Sequence, residues 1–220
     1  RAELLPRLAS SPTAALIHDI LPITDPAWFS PESVARFTSW FRAHERAGSV
    51  LLAVSNATAD AVESATGRSP AVVRIGSSRP PSSQGARSGI LMVGTVEPRK
   101  GHQLLLDALD LLGERAPVVD VVGRPGWAST PLLDRLASHP RVRWHRSISN
   151  TDLDVLWNLT GLLVQPTSGE GYGLPVTEAL QRGIAVAATD IAVMREVARG
   201  RAAMLPLDAT DWADLLARFA

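Results

Sequence analysis

An α/β fold is predicted for this 220-residue chain, with a doubly wound parallel sheet in its second part and a smaller α/β part before it. Three observations predict it. Short apolar runs alternate with stretches of helical periodicity along most of the chain. Runs such as Leu51-Leu52-Ala53-Val54 and Leu162-Leu163-Val164 are apolar throughout, as strands covered on both faces require. Between Ser77 and Gly89, nine of thirteen residues are Gly, Pro or Ser, a composition that resists regular structure. The chain therefore divides into residues 1–76, a linker at 77–89, and a second domain at 90–220.

In the first part, Ala14 to Ile17 reads as a strand ending in His18-Asp19. Val34, Phe37, Trp40 and Phe41 mark one face of a helix from about Ser33 to Arg46. Val50 to Val54 is a second strand, Asn56 an N-cap for a helix to Ala65, and Val72 to Ile75 a third strand. After the linker come a strand at Ile90 to Val93 and a helix from Gly101 to Leu112, whose Leu105, Ala108, Leu109 and Leu112 share a face. Val118 to Val122 is a strand, Thr130 to Ala137 a helix, Val142 to His145 a strand, and Thr151 to Leu159 a helix capped by Thr151. The strand around Leu162 to Val164 leads to a helix that starts at Pro175, reaches Arg182 and stops at Gly183. A strand at Ala185 to Ala188, a helix at Ile191 to Ala198 and a strand at Ala203 to Leu205 complete six strands in alternation.

Composition excludes several classes. Twenty-two basic and 22 acidic residues cancel, so no overall field draws the chain to nucleic acid. Cysteine is absent, which removes disulfides, thiolate metal sites and cysteine nucleophiles. No run approaches the roughly 20 apolar residues of a membrane span, and the first residues hold no signal-peptide core, so a soluble chain is expected, with peripheral membrane contact left open. The first residue is Arg1, which suggests a processed product or a fragment. His44, His102, His139 and His145 lack the spacing of a metal site, and none is expected.

Chemistry concentrates where strands end, the place at which parallel sheets bind ligands. Glu170-Gly171-Tyr172-Gly173-Leu174-Pro175-Val176-Thr177-Glu178 packs two carboxylates, two glycines and a helix start into one short stretch. Helical side chains lean toward their own N-terminus, so Glu178 points back over the amides of Gly171 to Leu174, which a phosphate could use. The first strand of the second domain ends in Val93-Gly94-Thr95-Val96-Glu97-Pro98-Arg99-Lys100-Gly101. Gly94 admits a ligand to the backbone, and Arg99 and Lys100 put two cations where a helix begins. Cations oppose the dipole there, so an anion such as a diphosphate held between them accounts for their placement; a solvated basic loop is the plain alternative. Gly123 to Trp127 lacks the spacing of a dinucleotide fingerprint and reads as a turn beside the site. Asp190 reads as an N-cap. The six tryptophans are scattered and read mainly as packing residues. His18 ends a buried strand and is either a group facing the site or a structural histidine.

In order and spacing, Val93 to Gly101, Gly123 to Trp127, Glu170 to Glu178 and Asp190 to Val197 resemble the C-terminal half of retaining GT-B glycosyltransferases of family 4, nearest to bacterial mannosyltransferases. Ile17 to Pro22 and Ala53 to Ser55 look like the later part of that family's N-terminal domain. The resemblance implies a GT-B fold, with a C-terminal Rossmann-like domain and part of a second Rossmann-like domain before it, and transfer of a hexose, with mannose from GDP-mannose preferred, to a growing polysaccharide, lipid-linked glycan or other glycoside. It implies that Arg99 and Lys100 bind the donor diphosphate, that Glu170 contacts the transferred sugar, and that Gly94, Thr95, Gly171, Tyr172, Gly173 and Leu174 line the donor site. Glu178 would bind the ribose and His18 would reach the donor sugar. The donor is then a substrate rather than a cofactor, and no metal is needed.

Relative to the family, no glycine-rich opening segment precedes Ala14, and the chain stops short of a terminal helix. An incomplete acceptor domain is therefore expected, with exposed surface inviting self-association or a partner chain, and poor transfer by this chain alone. A cytoplasmic location, at the inner face of a membrane, fits the family. A GT-B hydrolase, epimerase or phosphorylase, or a nucleotide-sugar-binding subunit inactive alone, are the alternative readings; a dehydrogenase is disfavoured because no G-x-G-x-x-G follows a strand.

Overall fold

The computed structural model describes residues 12–76, 87–127 and 130–219. The chain forms two compact units, Arg1–Ile75 with Glu170–Tyr172, and Gly76–Gly169 with Gly173–Ala220. Of the predicted linker, residues 77–86 lie outside the described residues.

The smaller unit holds a parallel three-stranded sheet in the order β1-β2-β3, made by β1 (Ala14–Ile17), β2 (Val50–Ala53) and β3 (Ala71–Val72). Its helices are α1 (Leu21–Thr24), α2 (Pro31–Arg46) and α3 (Asn56–Thr66). Pro31 opens α2 behind Ser30, whose hydroxyl accepts from the Ser33 amide at 3.3 Å, so the helix starts two residues before the predicted Ser33. Phe41 of α2 is buried with Ile17, Ile20, Leu51 and Val62, which closes the core over β1 and β2. The N-cap of α3 is Ser55 rather than Asn56, its Oγ accepting from the Thr58 amide at 3.0 Å. The third strand is shorter than predicted: Ala71 and Val72 pair with β2, and the Val73 amide still donates to the Ala53 carbonyl at 2.8 Å.

In the larger unit six parallel strands run in the order β6-β5-β4-β7-β8-β9, namely β4 (Gly89–Val93), β5 (Val119–Val122), β6 (Val142–His145), β7 (Thr160–Gln165), β8 (Ala185–Thr189) and β9 (Ala203–Leu205). Alternating with them are α4 (His102–Leu112), α5 (Thr130–Ser138), α6 (Asn150–Leu159), α7 (Leu174–Gln181), α8 (Ala192–Ala198) and α9 (Ala209–Leu216). The predicted face of α4 is the one buried: Leu105, Ala108 and Leu109 join Ile90, Met92, Val119, Val121 and Trp212 in one core. Helix α6 is capped by Ser149, which accepts from the Asp152 amide, and not by Thr151. Pro175 is the second residue of α7, not the first. Asp190 does not cap α8; it forms a two-point ion pair with Arg195 at the surface. Trp157 and Trp212 are fully buried, as the packing reading of the tryptophans expects, whereas Trp127 is 49% exposed and packs little.

Strands β4 and β7 are neighbours at the centre, and from them the sheet winds outward in opposite directions. A crevice outside their carboxyl ends is where such a sheet takes its ligand.

Candidate functional site

Two segments of the larger unit meet at that reversal. The segment after β4 leaves the sheet slowly: the Gly94 amide donates to the Val122 carbonyl at 2.9 Å, and the Val96 amide to the Arg124 carbonyl at 2.9 Å. Gly126 then donates back to the Val96 carbonyl at 3.0 Å, so the Gly123–Trp127 turn lies along the Gly94–Glu97 segment as a continuation of the β4-β5 pairing. Gly123 is needed for that approach, since a β-carbon there would lie 1.9 Å from the Gly94 carbonyl oxygen. The stretch read only as a turn thus supports the segment that carries the two cations.

Pro98 to Lys100 form one 3-10 turn, and Gly101 turns the chain into α4 with φ 78°. A β-carbon on Gly101 would lie 1.9 Å from the carbonyl oxygen of Pro166, just after β7. Backbone meets backbone there, so the β4 turn and the β7 loop are fixed against each other. Further bonds lock the contact: the Arg99 carbonyl accepts from the Ser168 amide at 2.7 Å and from the Thr167 hydroxyl at 2.9 Å. The Arg99 guanidinium donates to the Gly169 carbonyl at 2.9 Å and lies 3.2 Å from a Glu97 carboxylate oxygen. Lys100 runs its side chain beside Gly94, where a β-carbon would lie 3.7 Å from Lys100 Cδ. Both cations therefore stand at the switch point, and Arg99 is tied to the very loop that leads into the Glu170 motif. Thr167 was not anticipated from the sequence; it is fully buried, and a threonine after Gln165-Pro166 carries no signal by itself.

Past Gly169, residues Glu170–Tyr172 group with the smaller unit. There the Gly171 carbonyl accepts from Ser55 Oγ at 2.7 Å and from Thr58 Oγ1 at 3.1 Å, and Thr58 Oγ1 also lies 3.2 Å from the His18 carbonyl oxygen. His18 itself is exposed at the end of β1. The structure thus brings His18 and Gly171 together, although they are far apart in sequence.

The chain re-enters the larger unit at Gly173, which caps α7 with φ 88° and faces Met194. The first-turn amides of α7 present the positive end of its dipole, with Pro175 taking a position that needs no donor. Glu178 lies one turn further on, half-buried, its side chain leaning toward that N-terminus as helical side chains do. Of the residues expected at the site, Gly94, Thr95, Arg99, Lys100, Gly173, Leu174 and Glu178 belong to the larger unit, and His18, Glu170, Gly171 and Tyr172 to the smaller.

His102, the first residue of α4, is fully buried, and neither ring nitrogen has a hydrogen-bond partner. Burial, with a smaller contribution from the neighbouring Lys100 charge, lowers its pKa to about 4, so the ring is neutral behind the cationic turn. One Asp-x-Asp triple occurs in the sequence, Asp152-Leu153-Asp154. It sits in α6, where Asp152 meets the Ser149 cap and Asp154 pairs with Arg182 at 3.0 Å.

A family model for glycosyl transferases group 1 matches residues 87–220, more than half of the chain. The chain belongs to that family. Among curated relatives, the serotype-specific mannosyltransferase WbdA of Escherichia coli is 29% identical over 229 residues, covering 89% of this chain and 28% of WbdA. The O-antigen chain mannosyltransferase B of Escherichia coli is 32% identical over 114 residues, covering 49% of this chain and 30% of that protein. The chain spans less than a third of the length of either relative. In fold, this group 1 member is similar to Anabaena Alr3699/HepE, solved in complex with UDP and glucose, with TM-score 0.74 at 20% identity over 93% of this chain and 61% of that one. Sucrose-phosphate synthase from Thermosynechococcus elongatus is similar at TM-score 0.68 and 15% identity, over 93% and 57%. These neighbours have the GT-B glycosyltransferase architecture expected from the motifs.

Proposed function

We propose that this chain works in transfer of mannose from GDP-mannose to a glycan or lipid-linked acceptor, with retention of configuration and without a divalent metal. The observation that carries the reading is the joining of the Arg99-Lys100 turn to the β7 loop at the switch point, inside the segment that matches the family. Mannose is favoured because both Escherichia coli relatives are named mannosyltransferases.

The chemical demand is separation of a sugar with oxocarbenium character from a nucleoside diphosphate. Negative charge grows on the leaving phosphates, so cations and amides fixed before the reaction stabilise the transition state most. Arg99 and Lys100 supply the cations, and the attachment of Arg99 to the β7 loop means little reorganisation there during bond cleavage. The α7 N-terminus supplies amides, Glu178 takes the ribose hydroxyls, and Glu170 with His18 takes the sugar. Association with a membrane surface at its cytoplasmic side, and with itself or a partner chain, belongs to the same proposal; among the described residues no helix is long and apolar enough to cross a membrane.

A thermal-shift panel of GDP, UDP, ADP and their sugars tests the donor, since a specific ligand stabilises in proportion to the logarithm of its concentration. GDP and GDP-mannose are expected to give the largest shifts, unchanged by excess EDTA. Stronger stabilisation by UDP, or a shift that vanishes with EDTA and returns with magnesium, would count against the donor or the metal-free scheme respectively.

A further inference from the structure

Two buried hydroxyls converge on one carbonyl in the smaller unit, and the proposed chemistry uses neither. Ser55 is fully buried and Thr58 is 4% exposed. Ser55 Oγ donates to the Gly171 carbonyl at 2.7 Å, and Thr58 Oγ1 reaches both that carbonyl at 3.1 Å and the His18 carbonyl at 3.2 Å. Ser55 also caps α3, accepting from the Thr58 amide at 3.0 Å, so the two side chains are held by the helix they begin. A carbonyl oxygen at a helix N-terminus also meets the positive end of the helix dipole, which strengthens the arrangement.

We propose that Ser55 and Thr58 are positioning residues that fix the Gly171–Tyr172 peptide, and with it the backbone from which the preceding Glu170 presents its carboxylate. The inference rests on the sugar-binding role given to Glu170 above. Geometry supports it at three points. The Gly171 carbonyl is gripped twice, which leaves the peptide plane joining Gly171 to Tyr172 little freedom to rotate. The one proton of the Thr58 hydroxyl is shared between the Gly171 carbonyl at 3.1 Å and the His18 carbonyl at 3.2 Å, so the two residues assigned to the sugar lie against one anchor. No β-carbon separates Gly171 from His18, since one would lie 1.8 Å from the His18 carbonyl oxygen. Removing the hydroxyls should therefore release the Glu170–Tyr172 segment while leaving the Gly94–Gly101 turn, which belongs to the other unit, as it is.

The test compares the wild type, the double variant Ser55→Ala with Thr58→Val, and the conservative variant Thr58→Ser, all confirmed as folded by near-ultraviolet circular dichroism. Hydrogen exchange is read on peptides covering residues 166–174 and 94–101, and GDP and GDP-mannose affinities are read by calorimetry. In the double variant, exchange at 166–174 is expected to quicken about tenfold or more, with 94–101 unchanged. GDP affinity should stay within about twofold, while the affinity ratio of GDP-mannose to GDP changes about tenfold; Thr58→Ser, which keeps a hydroxyl, should match the wild type in both readouts. Unchanged exchange at 166–174, or altered exchange with an unaltered ratio, would overturn the proposal. If no protein binds any nucleotide, the glycosyl-transfer reading fails, and exchange at 166–174 still decides whether the hydroxyls hold the segment.

Discussion

Gly171 stands so close to His18 that a β-carbon on it would be 1.8 Å from the His18 carbonyl oxygen and 3.2 Å from the β-carbon of Asp19. Gly171 needs no positive φ, so its requirement is closeness rather than backbone conformation. Gly171→Ala must push apart two backbone segments that Thr58 joins. Forced repacking of this kind costs about 1–3 kcal/mol, which urea unfolding should show. If sugar contact depends on this segment, donor-sugar turnover should fall by more than the stability loss alone explains, measured well below the melting temperature.

Gly101 offers a sharper comparison because it combines both constraints. Its φ is 78° and a β-carbon would lie 1.9 Å from the Pro166 carbonyl oxygen, whereas Gly67 has φ 70° with nothing within 4 Å. Gly67→Ala should then cost only the left-handed backbone penalty, about 1 kcal/mol. Gly101→Ala should cost that plus the overlap, about 2–4 kcal/mol together, and should displace Arg99 from Gly169. Equal losses in denaturant melts would show that the β4 turn can move away from the β7 loop without penalty.

Glu178→Gln addresses the nucleotide directly. If its carboxylate accepts the ribose hydroxyls, losing the charge should weaken GDP binding by about 1–3 kcal/mol in calorimetry, the range for a charged hydrogen bond. The substitution keeps shape and helix propensity, so the fold should be unaffected. An affinity equal to that of the wild type would remove Glu178 from the ribose site.

Much of this was legible because strand-helix alternation is a strong signal. All six strands of the larger unit sit where the apolar runs put them, and β4 and β7, which precede the two motif stretches, flank the reversal. Caps were read less well. Asn56 and Thr151 are both acceptable N-caps, but a serine one or two residues earlier in each case has the extended backbone that lets its hydroxyl turn onto the helix amides. Asp190 fails as a cap because Arg195, five residues on, offers a two-point ion pair. Helix α9 went unpredicted: Trp212, Ala213 and Leu216 form a buried stripe, but eight residues give little periodicity to read. The bond from Ser55 to Gly171 spans 116 positions, and no local pattern announces a contact of that range.

His102 yields a pH prediction whose sign follows from its burial. In the folded protein its pKa is lowered to about 4, while in the unfolded chain it returns to about 6.5. Between those values the unfolded chain binds more protons, so stability is full above pH 6.5 and falls as the pH drops toward 4. A shift of that size corresponds to about 3 kcal/mol lost across the window. Carboxylates contribute to acid unfolding as well, so the measurement is a difference between proteins. His102→Leu removes the titrating ring and two buried nitrogens that have no hydrogen-bond partner. At about pH 7.5 it should therefore be within about 1 kcal/mol of the wild type, because no existing hydrogen bond is sacrificed. At about pH 4.5 it should be the more stable protein by about 2–3 kcal/mol, since it has no buried imidazole to charge. Chemical denaturation at half-unit pH steps gives both curves, and parallel curves across that range would mean that the imidazole reaches water, or a partner, as soon as it takes up a proton.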